Sequence, residues 1–176
     1  MGNPEGIYFI PSAIINWIDV FVREEYFAVM ADSLNYCIEN KGRILHGYCI
    51  MPSHIHLIFK DANNKPSKLL KEFKTCTSKQ LKKEIEANPQ ESRKEWLMDM
   101  MKEAGLKNSN VKSHQFWQQH NHPTELWSNY VIDQKLDYLH NNPVEAGFVD
   151  EPVHWKYSSA RDYAKIKSYI KVELIE

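Results

Sequence analysis

The sequence has little of what marks a secreted or membrane-spanning protein. Its 176 residues include three cysteines, Cys37, Cys49 and Cys76, an odd number without the spacing of a zinc site or a disulfide framework. No apolar run reaches the roughly 18 residues of a membrane span. The first residues, Met1 to Glu5, lack the basic start and apolar core of a signal peptide. We therefore expect a cytoplasmic protein with reduced thiols and no membrane partner.

An excess of charge of one sign is also missing, because the formal net charge is −1. This balance gives no global basic signal for a nucleic-acid partner. The lysines are nevertheless concentrated: the stretch from Lys65 to Lys83 contains seven of them and one acidic residue, Glu72, and so carries +6. Such a patch can bind backbone phosphates. A solvated, lysine-rich helix face is the alternative, and composition alone favours it.

The pattern of apolar residues predicts the order strand, helix, strand, strand, helix, inserted helix, strand, helix. The expected bounds, in that order, are 7–15, 24–40, 43–50, 54–60, 68–87, 91–104, 114–119 and 128–141. Ser67 is the expected N-cap of the second long helix. Asn142-Pro143 is the expected end of the last helix, because the residue before a proline is disfavoured in the α region.

This order is that of the βαββαβ split unit. It predicts an α+β, ferredoxin-like fold with an antiparallel sheet, two helices on one face and the other face free. The last helix carries an apolar stripe that can dock on the sheet. We expect one domain over residues 1–164 with a helical insertion over 88–113, and a tail or an extra strand over 165–176.

Two histidines lie close together in the strand that follows Met51-Pro52-Ser53. Alternation along a strand places Ile55 and Leu57 on one face and His54 and His56 on the other, about 6–7 Å apart. Two imidazoles side by side are suited to bind a metal ion. A pair of half-exposed structural histidines is the alternative, and the strand pattern does not choose between them.

The last predicted helix carries a second polar pair. Tyr138 and Asn142 are four residues apart, so their side chains emerge near one another, about 6 Å apart along the axis. An amide oxygen is a reasonable third ligand for a metal held by two imidazoles, and a tyrosine beside it can act as an oxygen nucleophile. The alternatives are a tyrosine that only packs its ring and an asparagine that only ends a helix. His140 and Asn141 are competing polar groups on the same turn.

Three stretches resemble the motifs of a known family. Tyr48 to Ile58, with its His-hydrophobic-His pattern, is similar to the signature of the single-tyrosine HUH transposases. Lys135 to Val149 is similar to their nucleophile helix. Together with Trp155 to Tyr163, these stretches most resemble the REP-associated tyrosine transposases, and the resemblance covers roughly Tyr8 to Tyr163.

The sequence departs from the family pattern in two places. Ser53 stands where an asparagine is expected before the first histidine, a change that removes no ligand. Ile10-Pro11-Ser12 is an unusual stretch for the first strand, because a proline belongs at a strand edge or a bulge.

The resemblance implies a DNA strand transferase. Residue by residue, it implies His54, His56 and Asn142 as ligands of Mg²⁺ or Mn²⁺, and Tyr138 as the nucleophile that forms a 5′-phosphotyrosine with single-stranded or hairpin DNA. The DNA-binding candidates are Lys68, Lys71, Lys74, Lys79 and Lys82 on phosphates and Trp117 stacked on bases, with burial in the core as the commoner fate of such a tryptophan.

Two other functions are compatible with the same fold. One is a hairpin-binding module for DNA or RNA that no longer cleaves, although a pure binding protein has no use for all four candidate site residues. The other is a metal-dependent phosphodiesterase that uses water as its nucleophile. The sequence allows a monomer or a homodimer.

Overall fold

The structure, a computed structural model, describes residues 1–109, 113–119 and 122–175. Its centre is a four-stranded antiparallel sheet with the strand order β2-β3-β1-β4. The strands are β1 (Tyr8–Ala13), β2 (Arg43–Ile50), β3 (His54–Asp61) and β4 (Thr124–Glu125). The helices are α1 (Glu24–Lys41), α2 (Pro66–Ala87), α3 (Lys94–Leu106), α4 (Asn129–Glu145) and the short α5 (Ala160–Tyr163). This order confirms the predicted α+β fold.

The hairpin of β2 and β3 sets the position of the two histidines. Its turn, Met51-Pro52-Ser53, is closed by the amide of Met51, which donates to the carbonyl of His54 over 2.8 Å. Cys49 pairs with His56, and on the other side of β3 Pro11 of β1 pairs with His56. His54 and His56 therefore lie in the middle of the sheet, and their strand is bonded on both edges.

Each face of the sheet is covered by different helices. On one face, α1 and α2 enclose a core that includes Ile55, Leu57 and Phe59 from β3. On the opposite face, Ile132, Leu136 and Leu139 of α4 pack against Phe9, Cys49 and Ile58. Two helices on one face were predicted, but the other face is not free. Ile58 is two residues from His56 and four from His54, so the three side chains share one face of β3, which is the face that α4 covers.

The predicted fourth strand is wrong. Residues 114–119 do not form a strand, and their one β-bridge joins Trp117 to Ile14. The fourth strand is instead Thr124–Glu125, which pairs with Tyr8 and Phe9. The strand was predicted because Phe116 and Trp117 are adjacent large apolar residues. These side chains are 2% and 5% exposed because they are buried in the core on the helix side, which needs no β-ladder.

Two helix ends also differ from the prediction. Helix α2 begins at Pro66, and its N-cap is Lys65, whose amide donates to the carboxylate of Asp61 over 2.9 Å, so Ser67 is not the cap. Helix α4 begins after the Ser128 cap as expected but continues through Pro143 to Glu145. A proline in the last turn removes a single helical hydrogen bond, which the packing of α4 tolerates. Asn142 is therefore a helical residue.

The C-terminal stretch runs along the outer edge of β2. The amide of Ile50 donates to the carbonyl of Tyr157, and the amide of Ser159 donates to the carbonyl of Tyr48, each over 2.9 Å. Further on, the amide of Glu173 donates to the carbonyl of Leu45 over 2.8 Å. Residues 165–175 thus pack on their own chain without forming a regular strand. Residues 110–112 and 176, which belong to the predicted insertion and tail, lie outside the described residues.

No helix within the described ranges is long and apolar enough to cross a bilayer.

Candidate active site

His54 and His56 form the floor of the candidate site. Their ring centroids are 4.9 Å apart and the rings are nearly perpendicular, at 75°. His56 is 5% exposed and is stacked on Phe9, with 5.4 Å between the ring centroids. His54 is half-buried. The alternation along β3 therefore brings the two imidazoles into contact, as the sequence predicted.

Helix α4 places the other two predicted residues over the histidines. Oδ1 of Asn142 lies 3.0 Å from Nε2 of His54. The ring of Tyr138 lies edge-on to His56, with 5.4 Å between centroids, and its side chain is 43% exposed. A phenol open to solvent thus lies beside a buried imidazole and an amide oxygen. The structure brings Tyr138, Asn142, His54 and His56 together.

Both imidazoles are held in the neutral state that metal binding requires. Burial lowers the pKa of His54, while the Asn142 hydrogen bond and the negative charge of Asp19 act in the opposite direction. Burial lowers the pKa of His56 to about 3, and positive charge on His54 and Lys135 adds to the effect. At neutral pH both rings therefore offer a lone pair.

The contacts of His54 define two tautomers with different uses. Oγ of Ser53 lies 3.2 Å from Nδ1. In one tautomer Nε2–H donates to the Asn142 oxygen. In the other, Nδ1–H donates to Ser53, and the lone pair of Nε2 faces the same space as the Asn142 oxygen. A histidine that binds a metal through one nitrogen usually donates its other N–H to a nearby acceptor. Ser53 can supply that acceptor, so a serine in place of asparagine is compatible with a metal ion on Nε2 of His54.

The donor set fits a divalent cation. Both ring nitrogens of His56 are buried without a hydrogen-bond partner among the described atoms, and such orphaned groups commonly indicate a missing ion or water. Two ligand atoms at right angles around Mg²⁺, each at about 2.1 Å, are about 3.0 Å apart. The distance between Nε2 of His54 and Oδ1 of Asn142 is 3.0 Å. Within the described residues no group of three or more His, Cys, Asp or Glu side chains could hold a metal, so a metal at His54 and His56 would need the Asn142 amide as its third ligand.

Lys135 places a positive charge beside the nucleophile candidate. Its Nζ lies 5.5 Å from the ring centroid of Tyr138 and 5.0 Å from that of Phe9. It is one helical turn before Tyr138, as the sequence suggested. An ammonium group in this position can attract a phosphate toward Tyr138.

The competing polar residues of α4 point elsewhere. Nε2 of His140 lies 2.8 Å from Oγ of Ser159, and its ring lies against Tyr163. Burial lowers the pKa of His140 to about 4. Asn141 is exposed. His140 therefore fastens α4 to the C-terminal stretch and takes no part in the site.

One neighbour of the site was missed by sequence reasoning. Trp17 is 60% exposed, and its indole lies edge-on to His54 with 5.4 Å between ring centroids. It sits in the loop after β1, 37 residues before His54 in the sequence, so no local pattern links the two. The only available signal was an aromatic residue next to Asn16, a residue type that tolerates left-handed turns.

The lysines of α2 lie on the other side of the molecule from the histidines. Since α2 packs on the opposite face of the sheet, its lysines do not contact the candidate site. A groove of about 840 Å³ is lined by one side of α2 and by residues 113–119. The predicted lysines along it are Lys71, Lys74, Lys79 and Lys82. Lys68 lies outside the groove and is paired with Glu72 at 3.8 Å.

Two of the predicted DNA-binding residues face inward. Trp117 is 5% exposed, and its indole N–H donates to the hydroxyl of Thr77 over 3.1 Å, so it offers no face to a base. The ammonium of Lys74 lies 5.5 Å from the Trp117 ring centroid and donates to the carbonyl of Gln118 over 3.1 Å. Burial lowers the pKa of Lys74 to about 8. Packing against the groove wall explains why both side chains face inward.

The sheet thus presents two neutral histidines to a tyrosine and an asparagine of one helix. The family described as "Transposase IS200 like" matches residues 18–134 of this chain. The chain therefore belongs to the IS200-like transposase family. The matched region includes His54 and His56 and ends four residues before Tyr138.

Two known proteins are similar to this chain. A Haemophilus influenzae protein named as a REP-associated tyrosine transposase is 28% identical over 128 residues, which are 69% of this chain and 61% of that protein. The chain thus spans about three fifths of the length of this relative. A solved structure of a REP-associated tyrosine transposase bound to a REP hairpin matches with a TM-score of 0.64 at 14% identity. The match covers 98% of this chain and 88% of the solved chain. At 14% identity it shows that the two chains share a fold.

Proposed function

We propose that this protein cleaves and rejoins single-stranded hairpin DNA, with Tyr138 as the nucleophile and His54, His56 and Asn142 as ligands of Mg²⁺ or Mn²⁺. The observation that carries the proposal is the position of α4. It brings the ring of a solvent-accessible phenol within 5.4 Å of the ring of His56, whose buried nitrogens have no hydrogen-bond partner among the described residues, and an amide oxygen within 3.0 Å of His54.

The reaction balances with one bond made and one broken. Oη of Tyr138 attacks the scissile phosphorus in line and loses its proton, the bond from phosphorus to O3′ breaks, and O3′ gains a proton to leave as the 3′-hydroxyl, so that no net proton is released. The product is a 5′-phosphotyrosine, which a second 3′-hydroxyl can attack to rejoin strands without a nucleotide cofactor. A bound divalent ion would stabilise the additional negative charge on the phosphate oxygens. Lys135 would draw the phosphate toward Tyr138.

The decisive experiment is covalent trapping. The substrate is a hairpin repeat taken from the DNA that flanks the gene, with single-stranded flanks and a label at the 3′ end, which stays on the fragment that becomes joined to Tyr138 through its 5′-phosphate. With Mn²⁺ we expect a protein–DNA adduct on a denaturing gel for wild type and none for Tyr138→Phe. Tyr130→Phe is the matched control, because Tyr130 lies on the same helix and is 76% exposed.

Two outcomes would overturn the proposal in favour of the other functions. If the Tyr138→Phe protein still cleaves the hairpin, water is the nucleophile and the protein is a phosphodiesterase. If wild type binds the hairpin but forms no adduct with Mn²⁺ or Mg²⁺, it is a binding module.

We also infer that the exposed lysines of the α2 groove hold the paired part of the DNA. Lys71 and Lys79 are exposed and line the groove of about 840 Å³. Each lysine that no longer neutralises a phosphate should lower the slope of log affinity against log salt by about 1. Replacing Lys71 and Lys79 by alanine should therefore reduce the slope by about 2, whereas Lys94→Ala on α3 should leave it unchanged.

A further inference from the structure

The loop after β1 carries an exposed indole next to a candidate metal ligand. Trp17 is 60% exposed, and its contact with His54 is edge-to-face, with an interplanar angle of 67°. Whichever ring supplies the edge, at least one face of the indole is uncovered. A large apolar face open to water beside a catalytic site is unfavourable unless something covers it when the site is in use.

The backbone holds Trp17 in a conformation that L-residues avoid. Asn16 and Trp17 both have φ of 55°, in the left-handed region. Glycine adopts this region without penalty, whereas a tryptophan there has its Cβ close to the following carbonyl. Non-glycine residues persist in such conformations where the surrounding structure fixes them, and they cluster at functional sites.

The surrounding structure does fix this loop, and it does so through the turn that leads into His54. The amide of Ile14 donates to the carbonyl of Ser53 over 2.9 Å. The amides of Val20 and Phe21 both donate to the carbonyl of Pro52 over 2.9 Å. The indole is therefore tied from both sides to the two residues before His54, and its distance from the site is set by the fold.

We propose that Trp17 is the stacking platform for the unpaired base next to the scissile phosphate. This inference rests on the proposed function. The indole centroid of Trp17 is 5.4 Å from that of His54, so a phosphate bound at His54 and His56 would bring the neighbouring nucleotide within reach of the exposed indole. Aromatic stacking is tolerant of base identity, because every base has a π-face. Trp17 would thus orient the strand for in-line attack without selecting its sequence, a role that the buried Trp117 cannot take.

The test is an abasic scan of the single-stranded flank. The labelled hairpin is bound to full-length protein by fluorescence anisotropy, with one base removed at each flank position in turn. In wild type we expect an abasic residue at one position beside the cleavage site to weaken binding about tenfold. In Trp17→Ala the intact strand should bind about tenfold more weakly, and the abasic residue should add nothing. Trp17→Tyr should retain most of the effect.

The control and two further readouts separate stacking from a structural role. Trp96→Ala removes an indole that is 54% exposed on α3 and should behave as wild type. Mn²⁺ affinity without DNA and the melting temperature should not change in Trp17→Ala. If they fall, Trp17 shields the metal site and the stacking proposal is wrong.

The failure of this inference differs from the failure of the proposed function. If wild type forms the covalent adduct and the abasic penalty persists in Trp17→Ala, only the stacking role is overturned. If wild type neither binds the hairpin nor forms the adduct, the proposed function falls and the stacking role falls with it.

Discussion

At the scale of single residues, His56 combines deep burial with unused polar atoms. It is 5% exposed, neither ring nitrogen has a hydrogen-bond partner among the described residues, and burial lowers its pKa to about 3. A buried polar group without a partner opposes folding by about 1–3 kcal/mol. The stacking of its ring on Phe9 offsets part of that penalty. This combination supports the proposal that His56 binds a metal ion.

This residue gives a stability prediction. In the absence of metal, His56→Leu should leave the free energy of unfolding unchanged or raise it by about 1 kcal/mol, because it removes two unpaired nitrogens and keeps an apolar contact with Phe9. Excess Mn²⁺ should raise the melting temperature of wild type, by the mass action of a ligand that binds only the folded state. It should have no effect on the variant. Thermal melts with EDTA and with Mn²⁺ measure both; a destabilised metal-free variant would show that the imidazole has a structural role.

At the scale of elements, the placement of α4 on the sheet depends on Gly47. A Cβ at this position would lie 2.8 Å from Cδ2 of Leu136 and 3.4 Å from Cδ2 of Leu139. The strand register shifts between Leu45 and Gly47, which marks a β-bulge where the helix approaches. Glycine at a bulge commonly allows another backbone to come close. The helix that carries Tyr138 and Asn142 is therefore positioned by the missing side chain.

Gly47→Ala should reduce activity more than stability. The added methyl pushes against the tip of Leu136, so we expect a loss of about 1–3 kcal/mol in unfolding free energy. A shift of α4 that lengthens the contact of Asn142 with His54 should reduce adduct formation at least tenfold, because displacements of about 1 Å at reacting groups have such effects. The double variant Gly47→Ala, Leu136→Val should recover part of both. No recovery would mean that the glycine serves the strand and not the helix.

At the scale of the whole molecule, the sheet leaves little free edge. Strand β2 lies at one end of the sheet and is covered by Tyr157 to Ser159 and by Glu173 of the same chain. At the other end of the sheet, β4 has only two residues. Past the end of β1, Ile14 forms a bridge with Trp117. Exposed strand edges are the usual route to pairing with a second chain. Of the two oligomeric states open to the sequence, this arrangement favours the monomer.

The 176-residue chain is expected to sediment as a monomer at micromolar concentration. Deleting residues 165–176 removes the buried Ile170 and uncovers the carbonyl of Leu45 at the edge of β2. We expect a lower melting temperature and concentration-dependent association of the shortened chain in analytical ultracentrifugation. If the full-length chain is a dimer and the deletion makes it a monomer, the monomer prediction is wrong and residues 165–176 form the dimer interface.

The buried histidines also predict how stability depends on pH. Burial lowers the pKa of His46 and His54, that of His56 to about 3 and that of His140 to about 4. Between the unfolded value of about 6.5 and these folded values, the unfolded chain binds protons that the folded chain does not. Stability should therefore be fully present above about pH 6.5 and fall as the pH is lowered toward 4.

Urea denaturation at pH 7.5, 6 and 5 measures this dependence. The urea concentration at the midpoint of unfolding should decrease from pH 7.5 to pH 5, a range in which most carboxylates remain ionised. His140→Gln should reduce the slope, because it removes one of the titrating groups and its amide can keep a hydrogen bond with Ser159. A midpoint that is flat down to pH 5 would contradict the burial of these rings.

The sequence by itself determined which side chains share a face. Alternation in β3 pairs His54 with His56, and the four-residue spacing in α4 pairs Tyr138 with Asn142. These are short-range relations set by backbone geometry, so they hold in any fold that keeps the strand and the helix. The order of elements likewise limited the topology to the βαββαβ sheet.

Only the tertiary structure decided which faces meet. Tertiary packing buries Trp117 against Lys74 along the groove wall. It also keeps Pro143 within α4, which ends only at Glu145. It also brought Trp17 against His54. These outcomes depend on contacts between residues distant in sequence, whose free energy exceeds local preferences of strand, cap or proline. The motif His54-Ile55-His56 could be found from the sequence, whereas the indole beside it and the placement of the lysines across the sheet could not.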